Sequence, residues 1–475
     1  MDILNNHNGL YTDFYELTMA QGYFMEGMQE KQVVFDYNFR KNPFDCGYVI
    51  FAGLEDLIGS LKNFKYSNEA IDYLRQNGFN PDFLEYLKKF SFRGTIKSVR
   101  EGEVVFPITP ILRVEGNIIE CQILETIILN YLNFESLIAT KASRIRKVAE
   151  NRIVSDFGLR RAQGLGGLQA SRAAVIGGID STSNVLAGYL YDLDVSGTQA
   201  HSWIQSFNDE LTAFRKYAET YPSKTILLVD TYDTLRSGVP NAIKVAKELK
   251  EKGHDLKAIR LDSGDLAYLS KKARKMLDEA GLESTKILAS NQLNEYIIRS
   301  LLFQGAPIDG FGVGTELVTG KSNAALDGVY KLAMMNEIPK LKLSDTFEKI
   351  TIPGKKDIFR FYDDHGYFYA DCIVLEGENI IKEMHHPYEK GKKCNLEGLK
   401  YESLLETALD KGEITTFSKS IEEIKKYRDE RLAKLPEEHQ RFEKPHIYKV
   451  GLSKKLNDLR NNLVYQMQNK NPVRR

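Results

Sequence analysis

Between residues 225 and 315 the chain alternates short apolar runs with amphipathic stretches, and this rhythm constrains the fold more than any other feature. The runs are Thr225–Asp230 (TILLVD), Lys257–Asp262 (KAIRLD), Lys286–Asn291 (KILASN) and Asp309–Thr315 (DGFGVGT). Ala242, Ile243, Ala246 and Leu249 fall at helical spacing after the first run, with Gly253 as the stop. Leu266, Leu269, Ala273, Met276 and Leu277 do so after the second, closed by Gly281, and Asn294–Phe303 follows the third. One helix per strand-to-strand step predicts repeated βα units and a parallel sheet. Each run ends in a polar residue, Asp230, Asp262, Asn291 or Thr315. Carboxyl ends of parallel strands share one mouth, where ligands bind. Residues 152–201 can supply further units.

The flanks differ. Phe92–Ile118 has short β-prone pieces between Gly and Pro, which predicts a small antiparallel unit. Residues 340–400 are mixed, and from Ser418 onward the chain reads as a solvated, charged amphipathic helix. At 475 residues the chain is too long for one compact core. Lys plus Arg and Asp plus Glu both total 65, so the basic excess of a dedicated nucleic-acid binder is missing. Cys46, Cys121, Cys372 and Cys394 show no metal-ligand or redox spacing, so no zinc is expected, and scattered thiols suit a reducing cytoplasm. The start, MDILNNHNGLYTD, lacks the basic and apolar segments of a signal peptide, and no apolar run is long enough to span a bilayer; even Ile123–Leu132 is interrupted by Glu125 and Thr126.

Several residues could carry chemistry. Arg260 and Asp262 alternate with Leu261, so both face one side of a strand, where a guanidinium can hold a planar anion and a carboxylate a ribose or a metal. The bland alternative is a structural ion pair; for Asp265, helix capping is the better account. Gly312-Val313-Gly314-Thr315 offers backbone N–H groups and a hydroxyl to a phosphate; the alternative is a tight turn needing positive φ. A lone histidine such as His201 is more often structural, but a neutral imidazole attacks phosphoryl groups if a neighbour holds its tautomer, and Asp230 is a candidate neighbour. Arg160 and Arg161 are adjacent at a strand end, so only one is expected to enter a site. Ser181–Asn184 (STSN) supplies small polar donors, or simply an N-cap. Asp13 or Thr12 can cap the helix after it, Tyr15 can offer a ring for stacking, and Arg40 is a strand-end base or a solvated one.

In order along nearly the whole chain stand LYTDFYELTMAQGYF, FDYNFRKNPF, SDFGLRRAQG, STSNVLAG, GTQAHSW, TILLVDTYDT, IRLDSGDL and GFGVGTELVT. This ordered set resembles the nicotinate phosphoribosyltransferase family. The resemblance implies an irregular parallel α/β barrel (the type II phosphoribosyltransferase fold) at 136–325, and an open-faced α+β sandwich from 1–135 and 326–475, the latter with a C-terminal helical extension. It makes His201 the residue phosphorylated by ATP, which reverses the structural reading of that histidine. It has Tyr15 stacking on nicotinate from the partner subunit of a homodimer, with Asp13 beside it in the motif. Arg160, Thr198 and Arg260 lie around the pyridine ring and its carboxylate. Asp262 and Asn291 face the ribose or Mg²⁺, Gly312, Gly314 and Thr315 hold the 5′-phosphate, and Arg40 reaches phosphate across the dimer interface. Substrates would be nicotinate, phosphoribosyl pyrophosphate and ATP, with neither nucleic acid nor membrane as partner.

Ser183 stands where a nicotinamide-using relative has an Asp. A carboxylate there would repel a substrate carboxylate, so Ser183 favours nicotinate over the nicotinamide alternative. A quinolinate transferase would not need a phospho-acceptor, a Schiff-base aldolase would want a strand-end lysine, and a non-catalytic metabolite-binding barrel could lose His201 freely. Cleaving the bond from ribose C1 to pyrophosphate develops oxocarbenium-like charge. Positioning and neutralisation of the leaving group matter most, which suits motifs rich in Arg, Gly and Thr.

Overall fold

The computed structural model describes residues 7–344, 349–415 and 419–470; residues 1–6 and Ser418, both used in the sequence reading, lie outside them. The chain divides into two compact units, residues 138–324 and residues 1–137 with 325–475. The boundary at 137/138 falls inside the 25-residue helix Glu125–Ala149.

The 138–324 unit holds the parallel sheet. Its strands run in the order Ser181–Thr182, Ile153–Asp156, Gly310–Val313, Lys286–Ser290, Ala258–Leu261, Ile226–Leu228, and every neighbouring pair is parallel. The expected helices are Val239–Glu251, Leu266–Glu279 and Glu295–Phe303. Asp265 caps the second through Tyr268 N–H at 3.0 Å, and Asn294 caps the third through Tyr296 and Ile297 N–H. A π-helical turn, Thr234–Gly238, precedes the first; a Cβ on Gly238 would run into the Val229 carbonyl.

Leu227, Val229, Ile259, Leu261 and Ile287 share a core with Ala242, Val245, Ala246, Leu249, Ala273 and Leu277 from these helices. Alternation therefore leaves Asp230, Arg260, Asp262, Ser290, Gly312 and Ser155 on the opposite face. The edge strands Ser181–Thr182 and Ile226–Leu228 are not laddered together among the described residues. Residues 194–199 run between them instead. Thr182 N–H donates to Asp194 O and Ser196 N–H to Thr182 O, both at 2.9 Å, and Gln199 Nε2 donates to Ile226 O at 3.3 Å.

The other unit contains a seven-stranded antiparallel sheet, in the order Ile338–Pro339, Gly328–Met335, Gln32–Phe39, Leu112–Asn117, Thr95–Ser98, Glu406–Asp410, Glu413–Ile414. The β-prone pieces of 92–118 are thus not a unit of their own but the middle of a larger sheet. Phe35, Tyr37 and Phe39 pack with Leu57, Leu61, Leu74, Phe83 and Leu87 from three short helices.

A second sheet, of six strands, occupies 356–453, where the sequence reading recognised only mixed character and then helix. Its members pair antiparallel except Phe368–Leu375 with Val450–Ser453, which pair in parallel. The helix Ile421–Lys434 is not simply solvated either: it buries Ile424, Arg428 and Arg431. Arg431 Nε meets Glu103 Oε1 at 2.8 Å, and the fully buried Arg360 meets the same oxygen at 2.6 Å and Asp371 Oδ2 at 2.7 Å. The Phe368 ring lies under both guanidinium groups, at 4.3 and 4.7 Å.

Burial works to raise the Glu103 pKa, but Arg360 and Arg431 outweigh it and hold the carboxyl below the usual range. A group depressed in this way contributes stability that is present above its unfolded pKa, near 4.3, and is lost as pH falls through the folded value. Melting temperature measured from about pH 7 down to pH 3 is expected to fall on the acid side, with a shallower fall in Glu103→Gln. Arg360→Met strips Asp371 of its arginine and leaves Glu103 with Arg431 alone, and is expected to cost about 3–5 kcal/mol, seen as a large drop in melting temperature at pH 7.

Candidate active site

At the carboxyl end of the parallel sheet Asp230, Asp262, Arg260, Thr198 and His201 come together. Asp230 follows the strand Ile226–Leu228, and its Oδ2 accepts from Asp262 N–H and Ser263 Oγ, both at 2.7 Å. Asp262 Oδ1 accepts from Ser290 Oγ and lies 3.5 Å from an Arg260 Nη. Arg260 donates to Thr198 Oγ1, and burial pulls its pKa down, with Arg160 adding in the same direction against Asp262 and Asp230.

His201 opens the helix His201–Gln205. Its Nε2 lies 3.9 Å from Asp262 Oδ2, and its Nδ1 lies 3.1 Å from Thr231 Oγ1. Asp230 is therefore not the neighbour at Nδ1: its Oδ2 is engaged by the next strand's turn, and Thr231 takes that place. In the tautomer whose Nδ1–H donates to the Thr231 hydroxyl, Nε2 carries the free lone pair.

Phe157 escaped the sequence reading, because an aromatic at a strand end looks like ordinary core. Its ring has the Arg260 guanidinium 5.9 Å above it and fills the space where a Cβ on Gly312 would stand. Gly314 adopts φ −117°, so the tight-turn reading of the glycines fails; at Gly312 it is the Phe157 ring that demands glycine. Thr315 starts the short helix Thr315–Val318 and is exposed. Arg160 and Arg161 sit in a 3₁₀ turn, Leu159–Arg161, so strand alternation does not separate them, and both are exposed. Ser183 N–H donates to Asp156 O at 2.8 Å, and Asn184 caps the helix Val185–Tyr191. Asn291 is exposed at φ +78°.

The remaining candidates belong to the 1–137/325–475 unit. Tyr15 is 47% exposed on the helix Phe14–Met25. Asp13 occupies the N-cap position without a capping bond of its own; its N–H donates instead to Thr126 Oγ1 at 3.1 Å. Glu16 is fully buried, accepts from Thr12 and Thr126 hydroxyls, and is pushed up to about 7 by burial. Arg40 pairs with Asp327 at 3.5 Å and lines a cavity of about 60 Å³. Lys331, Lys342, Lys349 and Arg460 line the same cavity, with the buried Lys356–Asp36 pair (2.6 Å) in its wall, so the charged part of its lining is cationic apart from Asp36.

Among the described residues no cluster of three His, Cys, Asp or Glu stands ready for a metal. Mg²⁺ held mainly by water and substrate phosphates needs only one or two carboxylates. Asp262 and the buried, unpartnered Oδ1 of Asp230 are of that kind.

Three family models match the chain: the nicotinate phosphoribosyltransferase N-terminal domain at residues 10–133, the family model at 153–386 and the C-terminal domain at 355–460. A nicotinate phosphoribosyltransferase of Bacillus subtilis (strain 168) is 43% identical, over 94% of this chain and 92% of the relative. The crystal structure of human nicotinic acid phosphoribosyltransferase superposes with a TM-score of 0.86 at 31% identity, covering 95% of this chain and 99% of that one. That of a nicotinate-nucleotide pyrophosphorylase from Pyrococcus furiosus, with a TM-score of 0.71 and 24% identity over 91% of this chain and 96% of that one, shares the fold. With these matches running the length of the chain, it belongs to the nicotinate phosphoribosyltransferase family.

Proposed function

We propose that this chain is a nicotinate phosphoribosyltransferase of NAD salvage, acting in the cytoplasm. It joins nicotinate to the ribose phosphate of phosphoribosyl pyrophosphate, releases pyrophosphate, and couples the transfer to ATP hydrolysis through phosphorylated His201. The observation that carries this beyond family membership is the placing of His201 between Thr231 and Asp262 beside Arg260 and Thr198. Thr231 holds the tautomer in which Nε2 is the nucleophile, and Asp262 stabilises the imidazolium character that develops as the phosphoryl group transfers.

Arg260, Thr198 and Arg160 hold the nicotinate carboxylate, and Phe157 lends a flat apolar wall. The pyridine nitrogen is already nucleophilic, so the chain needs to hold the reactants in line and supplies no strong base. Asp262 and Asp230 would hold Mg²⁺, which neutralises charge on departing pyrophosphate when bound. Gly312, Gly314 and Thr315 receive the 5′-phosphate, with Asn291 on the ribose. In a homodimer with shared sites, Tyr15 of the partner subunit stacks on the ring, with Asp13 at the start of its helix, and Arg40, in its cationic cavity, reaches phosphate. The same reading takes the parallel sheet, with 194–199 as its irregular stave, for a barrel, and the antiparallel sheet with its helices for an open-faced sandwich. Nicotinamide is the second reading of the substrate, which Ser183 disfavours.

Turnover of nicotinate and phosphoribosyl pyrophosphate with Mg²⁺ is expected to rise with ATP in wild type, with no such rise in His201→Ala; product from nicotinamide alone would overturn the assignment. Ser183→Asp is expected to raise KM for nicotinate roughly 10–100-fold through like-charge repulsion of about 1–3 kcal/mol. Tyr15→Ala and His201→Ala proteins, each inactive alone, are expected to regain part of the activity once unfolded together and reassembled. Failure to do so despite proven subunit exchange would refute the shared site.

A further inference from the structure

We propose that Asp156 is a positioning residue that locks the Arg160 turn to the Ser183 strand and so sets affinity for the nicotinate carboxylate, a role that rests on the nicotinate-binding assignment of those two residues. Asp156 ends the strand Ile153–Asp156 and is fully buried, as are Ser171 and Thr182 beside it. Its Oδ1 accepts from Gly158 N–H at 2.8 Å. Its Oδ2 accepts from Ser171 Oγ and Thr182 Oγ1, each at 2.8 Å. All three partners are neutral donors, and they come from three different segments.

Each bond fixes one wall of the candidate site. Gly158 is two residues before Arg160, and it abuts Val318 so closely that a Cβ there would overlap that side chain. The bond to Gly158 thus sets the turn on which Phe157 covers Gly312 and from which Leu159–Arg161 departs. Thr182 immediately precedes Ser183, and its Oγ1 in turn accepts from Asn184 N–H at 3.0 Å. Asn184 Nδ2 donates to Gly167 O at 3.1 Å, and Ser171 Oγ lies 3.0 Å from the same carbonyl, tying the helix Gly166–Ile176 into the network.

Asp156 is thus the common acceptor for segments that carry Arg160 and Ser183. Its side chain lies on the opposite side of the strand from that of Ser155, outside the substrate face, and acts through these neighbours, while its carbonyl accepts from Ser183 N–H. Burial raises its pKa and the three donors pull the other way. An amide can replace the carboxylate at little cost, because its oxygen still serves Gly158 N–H while both hydroxyls can turn to accept from its nitrogen. Alanine leaves Gly158 N–H without its acceptor and removes the oxygen that joins the Ser171 and Thr182 hydroxyls, which fall back on Gly167 O and on each other.

The test compares full-length wild type, Asp156→Ala, Asp156→Asn and Thr182→Val, all checked for folding by thermal melting. Wild-type turnover of nicotinate in the same assay decides the functional reading separately. Asp156→Ala and Thr182→Val are expected to raise KM for nicotinate about tenfold or more, with KM for phosphoribosyl pyrophosphate within about twofold, and Asp156→Asn to stay near wild type. Hydrogen exchange, which needs no activity, is expected to quicken in residues 157–162 and 182–187 of the first two variants and to stay unchanged in 258–303. Unchanged KM for nicotinate in both variants would overturn the proposal. So would a proportional change in both KM values and kcat, or uniform quickening of exchange across the chain, since these mark general loss of structure.

Discussion

Parallel strands pin all their carboxyl ends to one edge, and here one face of the sheet is given over to helices. The register that pairs Arg260 with Leu288 and Ser290 with Gly312 then decides which residues meet. Leu261 and Ile259 go to the helices; Arg260 and Asp262 go to the other side. A one-residue slip in Ala258–Leu261 would send the Arg260 guanidinium into the helical core and an apolar residue into the site. The chemistry of the site thus depends on backbone hydrogen bonds that never touch a ligand, and Asp156 extends that control past the strand end.

The four strands from Ile226 to Val313 and the three helices between them were readable because each step is local. Strand, helix and next strand follow within a few dozen residues, and Gly253, Gly281, Asp265 and Asn294 mark the ends by known stereochemistry. The six-stranded sheet was not readable, because Phe368–Leu375 finds its parallel partner at Val450–Ser453, far along the chain, and several of its strands have three residues. Arg431 hid in a charged helix, since a sequence does not tell an arginine in water from one beside a buried Glu103. At the site, motif order grouped His201, Arg260 and Asp262, but the choice of Thr231 over Asp230 at the imidazole depends on where the Asp262 turn folds back. Phe157 was hidden by its resemblance to core.

The two units handle buried charge by the same rule with different means. In one, Glu103 and Asp371 are surrounded by Arg360 and Arg431. In the other, Glu295 lies at 2.8 Å from Lys141 and 3.0 Å from Arg144, all three buried, whereas Asp156 takes only hydroxyl and amide donors. Full ion pairs knit secondary elements together; Asp156, with neutral partners, sits under candidate ligand-binding segments.

The strand Gln32–Phe39 lies between Leu112–Asn117 and Gly328–Met335 in the seven-stranded sheet. Its second neighbour begins roughly 290 residues after it ends, which at roughly 5–20 residues per second means about 15–60 s of ribosomal synthesis. Through that interval the half-built sheet carries an open edge beside Phe35 and Tyr37, while the parallel-sheet unit, contiguous in sequence, is finished first. A nascent chain arranged this way keeps that edge unpaired until roughly two thirds of it has been made, so the order in which its strands are encoded sets how long the edge stays open.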